Sequence, residues 1–289
     1  MHTQRSIQTI EYAATFNMGG FPVRQAFPTA TIADVNPFLL LHHAHIQVPE
    51  HANVLHAGVG PHPHRGFSPV TFIFKGGVHH RDSRGNNHVV YEGGIQWMNA
   101  GSGIIHSERP PANIHEYGGV QEVIQLWVNT PAKHKMDAPA YFPLDKQAIP
   151  VITSPDQLTT INVVSGSLAG INGKVPTQTD VNTFTIHMQA GGNYYFPLPI
   201  THLAFVYVLS GAIEMDATTI QAHHVATLHT DGSGCTIRAL ENSVLLMGSG
   251  LPIDEPVASH GPFVMNSQTE LLQAFKDYQM GKMGVLIEE

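Results

Sequence analysis

Short segments rich in β-branched and aromatic residues, each closed by Gly, Pro, Asn or Asp, restrict this chain to an all-β architecture. They recur at 69–77 (PVTFIFKGG), 94–101 (GIQWMNAG), 103–108 (GIIHSE), 121–129 (QEVIQLWVN) and 159–167 (TTINVVSGS). The pattern continues at 182–190 (NTFTIHMQA), 203–211 (LAFVYVLSG), 226–230 (ATLHT) and 243–250 (SVLLMGSG). With 27 Gly and 20 Pro available for turns, strands this short predict a sandwich or a closed barrel. A helix is expected only near the end. There Ser267 and Glu270 form a capping-box start, apolar residues follow at Leu271, Leu272, Phe275 and Tyr278, and Gly281 stops it.

The segment 130–150 (TPAKHKMDAPAYFPLDKQAIP) combines prolines and charges with few β-formers and reads as a domain-crossing strap. It predicts one domain over 1–135 and a second over 136–289 that ends in the helix. The halves carry a weak repeat. His62-Pro63-His64 precedes a strand that closes at Gly76, 14 positions after His62, and Pro197-Leu198-Pro199 precedes one that closes at Gly211, 14 positions after Pro197. A duplicated barrel that keeps its histidines only in the first copy accounts for this.

Composition narrows the function. The formal charge is −8 with only 14 Lys and Arg, and no cationic run exists to displace counterions from a phosphate backbone, so no direct nucleic-acid partner is expected. No apolar run is long enough to span a bilayer, and no membrane partner is expected. The N-terminal residues lack a secretory pattern. The one cysteine, Cys235, excludes an intrachain disulfide and a thiolate-rich metal site. It fits a reducing compartment, and a cytoplasmic location is expected.

Histidine is the anomaly, with 20 in the chain. Two pairs have a geometric reason to act together. His62 and His64 are spaced i, i+2, and so are His106 and Glu108, which begin 42 positions after His64. Residues two apart on a strand project from one face, so each pair can aim two donors at one point from a rigid backbone. Three imidazoles and a carboxylate suit one divalent first-row transition metal and leave coordination positions open. Other histidines fit less well. His42, His43, His45, His51 and His56 fall in a polar, loop-like stretch, and His79 and His80 follow the Gly76-Gly77 turn. The tip 81–86 (RDSRGN) reads as a structural hairpin, Trp97 and Met98 as core or cavity wall, and Cys235 as a buried small hydrophobe. Gln96 and Gln125 are candidates to hold the ligand histidines.

The motifs HPHRGF (62–67), HHRDSRGN (79–86), QWMNAGSGIIHSE (96–108), QLWVNTPAKHKM (125–136) and HGPFVMN (260–266), taken in this order, resemble the pirin family of the cupin superfamily. The resemblance spans nearly the whole chain. It implies two cupin-type β-barrel (jelly-roll) domains packed face to face, with a short C-terminal helix. It further implies one metal, most often iron as Fe(II) though cupin sites accept other divalent first-row ions, held in the N-terminal barrel by His62, His64, His106 and Glu108. Pro197 and Pro199 agree with a C-terminal barrel that lacks the ligands. The chain departs from the family at His42-His43-Ala44-His45, where an acidic residue and a histidine are usual. That segment lines the approach to the metal in relatives.

Some members of the family resemble quercetin 2,3-dioxygenases. Such an activity implies a small aromatic, flavonol-like substrate and O2, with Glu108 both balancing the metal's charge and accepting a substrate hydroxyl proton as the catalytic residue. Two other readings stay open from sequence. One is an iron-state sensor acting through a protein partner, the other a closed structural metal site.

Overall fold

The structure, a computed structural model, describes residues 3–53 and 56–288. Each segment expected as a strand is one: Phe67–Lys75, Ile95–Asn99, Ile104–Arg109, Gly119–Asn129, Thr159–Ser165, Val181–Met188, Leu203–Ser210, His224–Leu228 and Ser243–Gly250. The C-terminal helix runs Gln268–Gln279, and its Ser267 cap accepts a hydrogen bond from the Glu270 amide. Gly281 ends it at a φ of +72°, a conformation that costs glycine little. Leu271 is buried on this helix, but Leu272 is 71% exposed, so the apolar stripe is narrower than the sequence suggested.

The first 50 residues hold more structure than their composition signals. Strands lie at Ile7–Tyr12, Ala14–Met18, Phe21–Phe27 and Phe38–Val48. His42, His43 and His45 are therefore strand residues, not loop residues as their polarity implied. A short helix, Ala112–Tyr117, was also not anticipated.

Two compact units emerge, and they interleave along the chain. One comprises 1–16, 24–41 and 148–252; the other comprises 17–23, 42–147 and 253–289. The strap around 130–150 does contain a crossing, at 147/148, whereas the expectation was a single cut at 135/136. The C-terminal helix falls in the unit that contains His62–Glu108.

The unit containing 148–252 has a seven-stranded antiparallel sheet ordered Ile7–Tyr12, His224–Leu228, Leu203–Ser210, Ser243–Gly250, Val181–Met188, Thr159–Ser165 and Val151–Thr153. Its second sheet runs Asn193–Pro197, Gly234–Ala239, Ala212–Met215 and Thr218–Gln221. Alternate side chains of both sheets meet in one apolar core, with Phe184, Val206 and Met247 from the first and Phe196, Ile213 and Ile237 from the second. This barrel is filled, and Phe196 and Leu198, beside the two prolines of the repeat, belong to the filling.

The unit containing 42–147 repeats the plan. One sheet includes Ala140–Leu144, Ile95–Asn99, Phe67–Lys75, Gly119–Asn129 and Phe38–Val48 in that order. A second runs Val59–His64, Ile104–Arg109, Gly77–Asp82 and Asn87–Tyr91. Here the inner faces carry His62, His64, Thr71, Glu108 and Gln125 and line a cavity.

Candidate metal centre

Val59–His64 and Ile104–Arg109 are antiparallel neighbours, with His62 opposite His106 and His64 opposite Ile104. The register puts all three imidazoles on the inner face, and their ligand atoms lie within 4.8 Å of one another. Ring centroids are 4.3 Å apart for His62 and His106 and 5.0 Å for His64 and His106.

The backbone sets the proton positions. His62 Nδ1 donates to the Gly60 carbonyl at 2.8 Å, and His64 Nδ1 to that of Pro262 at 3.3 Å. Each ring then presents Nε2 as a lone pair. The Nε2 atoms of His64 and His106 are buried and make no hydrogen bond. Burial, followed by the proximity of His62, pushes the His64 imidazole well below the ordinary histidine pKa. His106 is pushed the same way by burial, then by His62, His64 and His80. Neutral, partnerless nitrogens converging in a protein interior are costly unless something fills them, and a cation is what this donor set fits.

Glu108 is not one of the three residues whose ligand atoms lie within 4.8 Å of one another. A register shift falls between His106 and Glu108, where Val59–His64 carries an extra residue, and such a bulge adds twist. The carboxylate turns to the opposite sheet. The Thr71 hydroxyl donates to its Oε1 at 2.6 Å and Gln125 Nε2 donates to its Oε2 at 2.9 Å. The Trp127 indole in turn donates to Gln125 Oε1 at 3.3 Å and so fixes which way the amide points. Gln125 therefore holds the carboxylate, not a ligand histidine as expected, and Gln96 Nε2 donates to the Val78 carbonyl.

These groups open into a cavity of about 650 Å³ lined by Phe21, Val23, Ile46, Val78, Val123 and Trp127. Along Phe38–Val48, His42, Ala44 and Ile46 line it, as the period of two requires. Burial pushes the His42 imidazole down to about 4, so it is neutral at pH 7. The intervening His43 and His45 instead reach Glu122, at 3.2 and 3.0 Å. Arg109 also lines the cavity, but its guanidinium is paired with Glu288 at 2.6 Å. Sequence reasoning missed Thr71 and Trp127, since a lone Thr and a lone Trp on a strand carry no local signal of function.

The motif HPHRG is clamped from the C-terminal segment of the same unit. Arg65 pairs with Asp277 of the helix at 3.0 Å and donates to the Ser102 carbonyl at 2.7 Å. Lys135, 1% exposed, donates to the carbonyls of Gly66 and Val264 at 2.6 and 3.1 Å and to Asn129 Oδ1 at 2.7 Å.

Two cupin-type domains, one filled and one with an imidazole trio of which His62 and His64 line a cavity, define a cupin protein suited to a single transition metal. Comparison with known families agrees. The pirin model matches residues 20–128 and the pirin C-terminal cupin domain matches 183–284, and the chain belongs to the pirin family. It is 36% identical over 264 residues to a Pseudomonas aeruginosa protein named "Putative quercetin 2,3-dioxygenase", covering 91% of this chain and 92% of that one. A pirin-like protein of Solanum lycopersicum is 34% identical, with 92% and 88% covered. Among solved structures, one described as quercetin 2,3-dioxygenase from Acinetobacter baumannii is similar, with a TM-score of 0.92 and 32% identity. That match covers 99% of this chain and 100% of the other. Among the described residues no helix is long and apolar enough to cross a membrane.

Proposed function

We propose that this chain is a metal-dependent dioxygenase of the quercetin 2,3-dioxygenase type, opening a flavonol-like substrate with dioxygen. In this reading His62, His64 and His106 hold one divalent transition metal, iron(II) as the working ion, and Glu108 completes the set. The observation that carries it is the partnerless, buried Nε2 atoms of His64 and His106, with His62 and His64 lining a substrate-sized cavity. A site serving as a sensor or a structural pin has no need of such a cavity. The metal, when bound, supplies Lewis acidity and a template for substrate and dioxygen.

The remaining roles fall to the chain's own groups. Glu108, oriented by Thr71 and Gln125, accepts the proton of a substrate hydroxyl. Apolar walls including Phe21, Val123 and Trp127 seat a flat aromatic body and exclude water. Arg109 is neutralised by Glu288, and His42 is uncharged, so the walls favour a phenolic ligand over a carboxylate-bearing one. The names carried by the Pseudomonas and Acinetobacter proteins support the same substrate class. A single buried cysteine supports a reducing compartment, the cytoplasm.

Iron-loaded protein is expected to take up oxygen when given quercetin, measured with an oxygen electrode. His62→Ala and Glu108→Ala are expected to lose metal, activity or both. Absence of uptake with quercetin and related flavonols refutes the substrate class. Unchanged metal content and activity in both variants refutes the site.

A further inference from the structure

A second buried pair, His80 and Asp82, stands behind His106 and takes no part in the chemistry above. Both lie on Gly77–Asp82, the neighbour of Ile104–Arg109, with Asp82 opposite His106 and His80 opposite Glu108. His80 is 1% exposed and Asp82 4%. His80 Nε2 lies 3.0 Å from Asp82 Oδ2, and His80 Nδ1 lies 3.4 Å from His106 Nδ1. The His80 ring stacks on Tyr141, with centroids 3.9 Å apart and planes at 8°. Asp82 is itself fixed by Asn86 Nδ2 at 2.7 Å and by the amides of Arg84 and Asn86 at 2.9 and 3.1 Å.

One assignment of protons along this line accounts for the bare His106 Nε2. An ionised carboxylate only accepts, so His80 donates from Nε2 to Asp82. In the tautomer that carries its one proton on Nε2, His80 offers a lone pair at Nδ1, and His106 donates from its own Nδ1. That leaves His106 Nε2 bare, which is the buried atom found without a partner. The other two imidazoles reach the same state by a different route, since their Nδ1 atoms donate to the main-chain carbonyls of Gly60 and Pro262. Only His106 depends on side chains for its orientation, so only its orientation is open to substitution.

We infer that His80 and Asp82 are positioning residues that lock His106 as an Nε2 ligand and thereby set the protein's affinity for its metal. The inference rests on the metal-binding reading proposed above. Outer partners of this kind typically govern affinity by about 10- to 100-fold.

Metal-free protein titrated with cobalt(II) against a chromophoric chelator tests it. His80→Phe keeps a ring on Tyr141 but removes both nitrogens, and it is expected to weaken cobalt(II) binding by about 10- to 100-fold and shift the cobalt absorption bands. His80→Asn, which returns an amide oxygen near the place of Nδ1, is expected to recover most of the affinity and the wild-type bands. Asp82→Asn is expected to fall between wild type and His80→Phe. Affinity and bands in His80→Phe indistinguishable from wild type overturn the inference and leave the metal site intact. So does a failure of His80→Asn to restore them when metal-free melting temperatures fall in step with affinity, the mark of a merely structural role. If wild type takes up no cobalt(II), or His64→Ala binds it unchanged, the metal reading fails and this inference fails with it.

Discussion

Adding one methyl group at Gly66, by Gly66→Ala, tests whether the C-terminal segment holds the proposed metal ligands in place. Gly66 has a φ of +84°, which costs alanine about 1 kcal/mol relative to glycine. The new Cβ would sit 2.0 Å from the Val264 carbonyl oxygen and 2.9 Å from Met265 Sδ. An ordinary carbon–oxygen contact is roughly 3.3 Å, so main chain must retreat. The carbonyl cannot yield easily, because it accepts from Lys135 Nζ at 3.1 Å and the Val264 amide donates to the Arg65 carbonyl at 3.1 Å. Overpacking adds about 1–3 kcal/mol, and stretching one of these buried hydrogen bonds adds about 1 kcal/mol. The expected destabilisation is therefore about 3–5 kcal/mol, read from urea unfolding of the metal-free protein. Displacement of 262–265 also carries the Pro262 carbonyl away from His64 Nδ1, so cobalt(II) affinity is expected to fall by about 10- to 100-fold. Stability within about 1 kcal/mol of wild type refutes the steric argument. Lost stability with unchanged affinity refutes the coupling to His64.

Phe205 of the filled barrel lies edge-on to Phe27 and Phe38, at 5.3 and 5.2 Å, and is fully buried. Phe205→Ala is expected to cost about 3–5 kcal/mol in urea unfolding, with cobalt(II) affinity unchanged because none of the proposed ligands belongs to that unit. Acid destabilises the metal-free protein through His64 and His106, whose folded pKa values lie well below 6.5. Below pH 6.5 the unfolded chain takes up protons that the folded chain refuses, so stability falls with pH. The slope approaches about 1.4 kcal/mol per pH unit for each histidine until the folded rings themselves protonate. His64→Asn in urea unfolding from pH 7 to 5 is expected to show a shallower slope, and an equal slope refutes the assignment.

The nine strands expected from sequence were legible because each is a local pattern. A few β-branched and aromatic residues between turn formers suffice, whatever the strand packs against. The strand Phe38–Val48 was hidden because both its faces are polar in part. His42 lines the cavity while His43 and His45 bind Glu122, so its alternation carries no hydrophobic signal. Interleaving of the two units was illegible for a different reason. Whether 24–41 joins 148–252 depends on packing partners more than a hundred positions away, and composition along the chain shows only the strap.

At the candidate metal centre the same division holds. The sequence by itself determined the donors: the i, i+2 spacing in His62-Pro63-His64 puts two imidazoles on one strand face, and a second strand supplies His106. Tertiary structure alone decided what each donor does. Glu108 turns to Thr71, 37 positions away, His106 is fixed through His80, 26 away, and His64 leans on Pro262, 198 away. It also decided that one barrel is filled and the other hollow. Strand geometry is a property of neighbouring residues and can be read from their spacing. Hydrogen-bond partners and cavities are properties of surfaces that meet only after the chain has closed on itself.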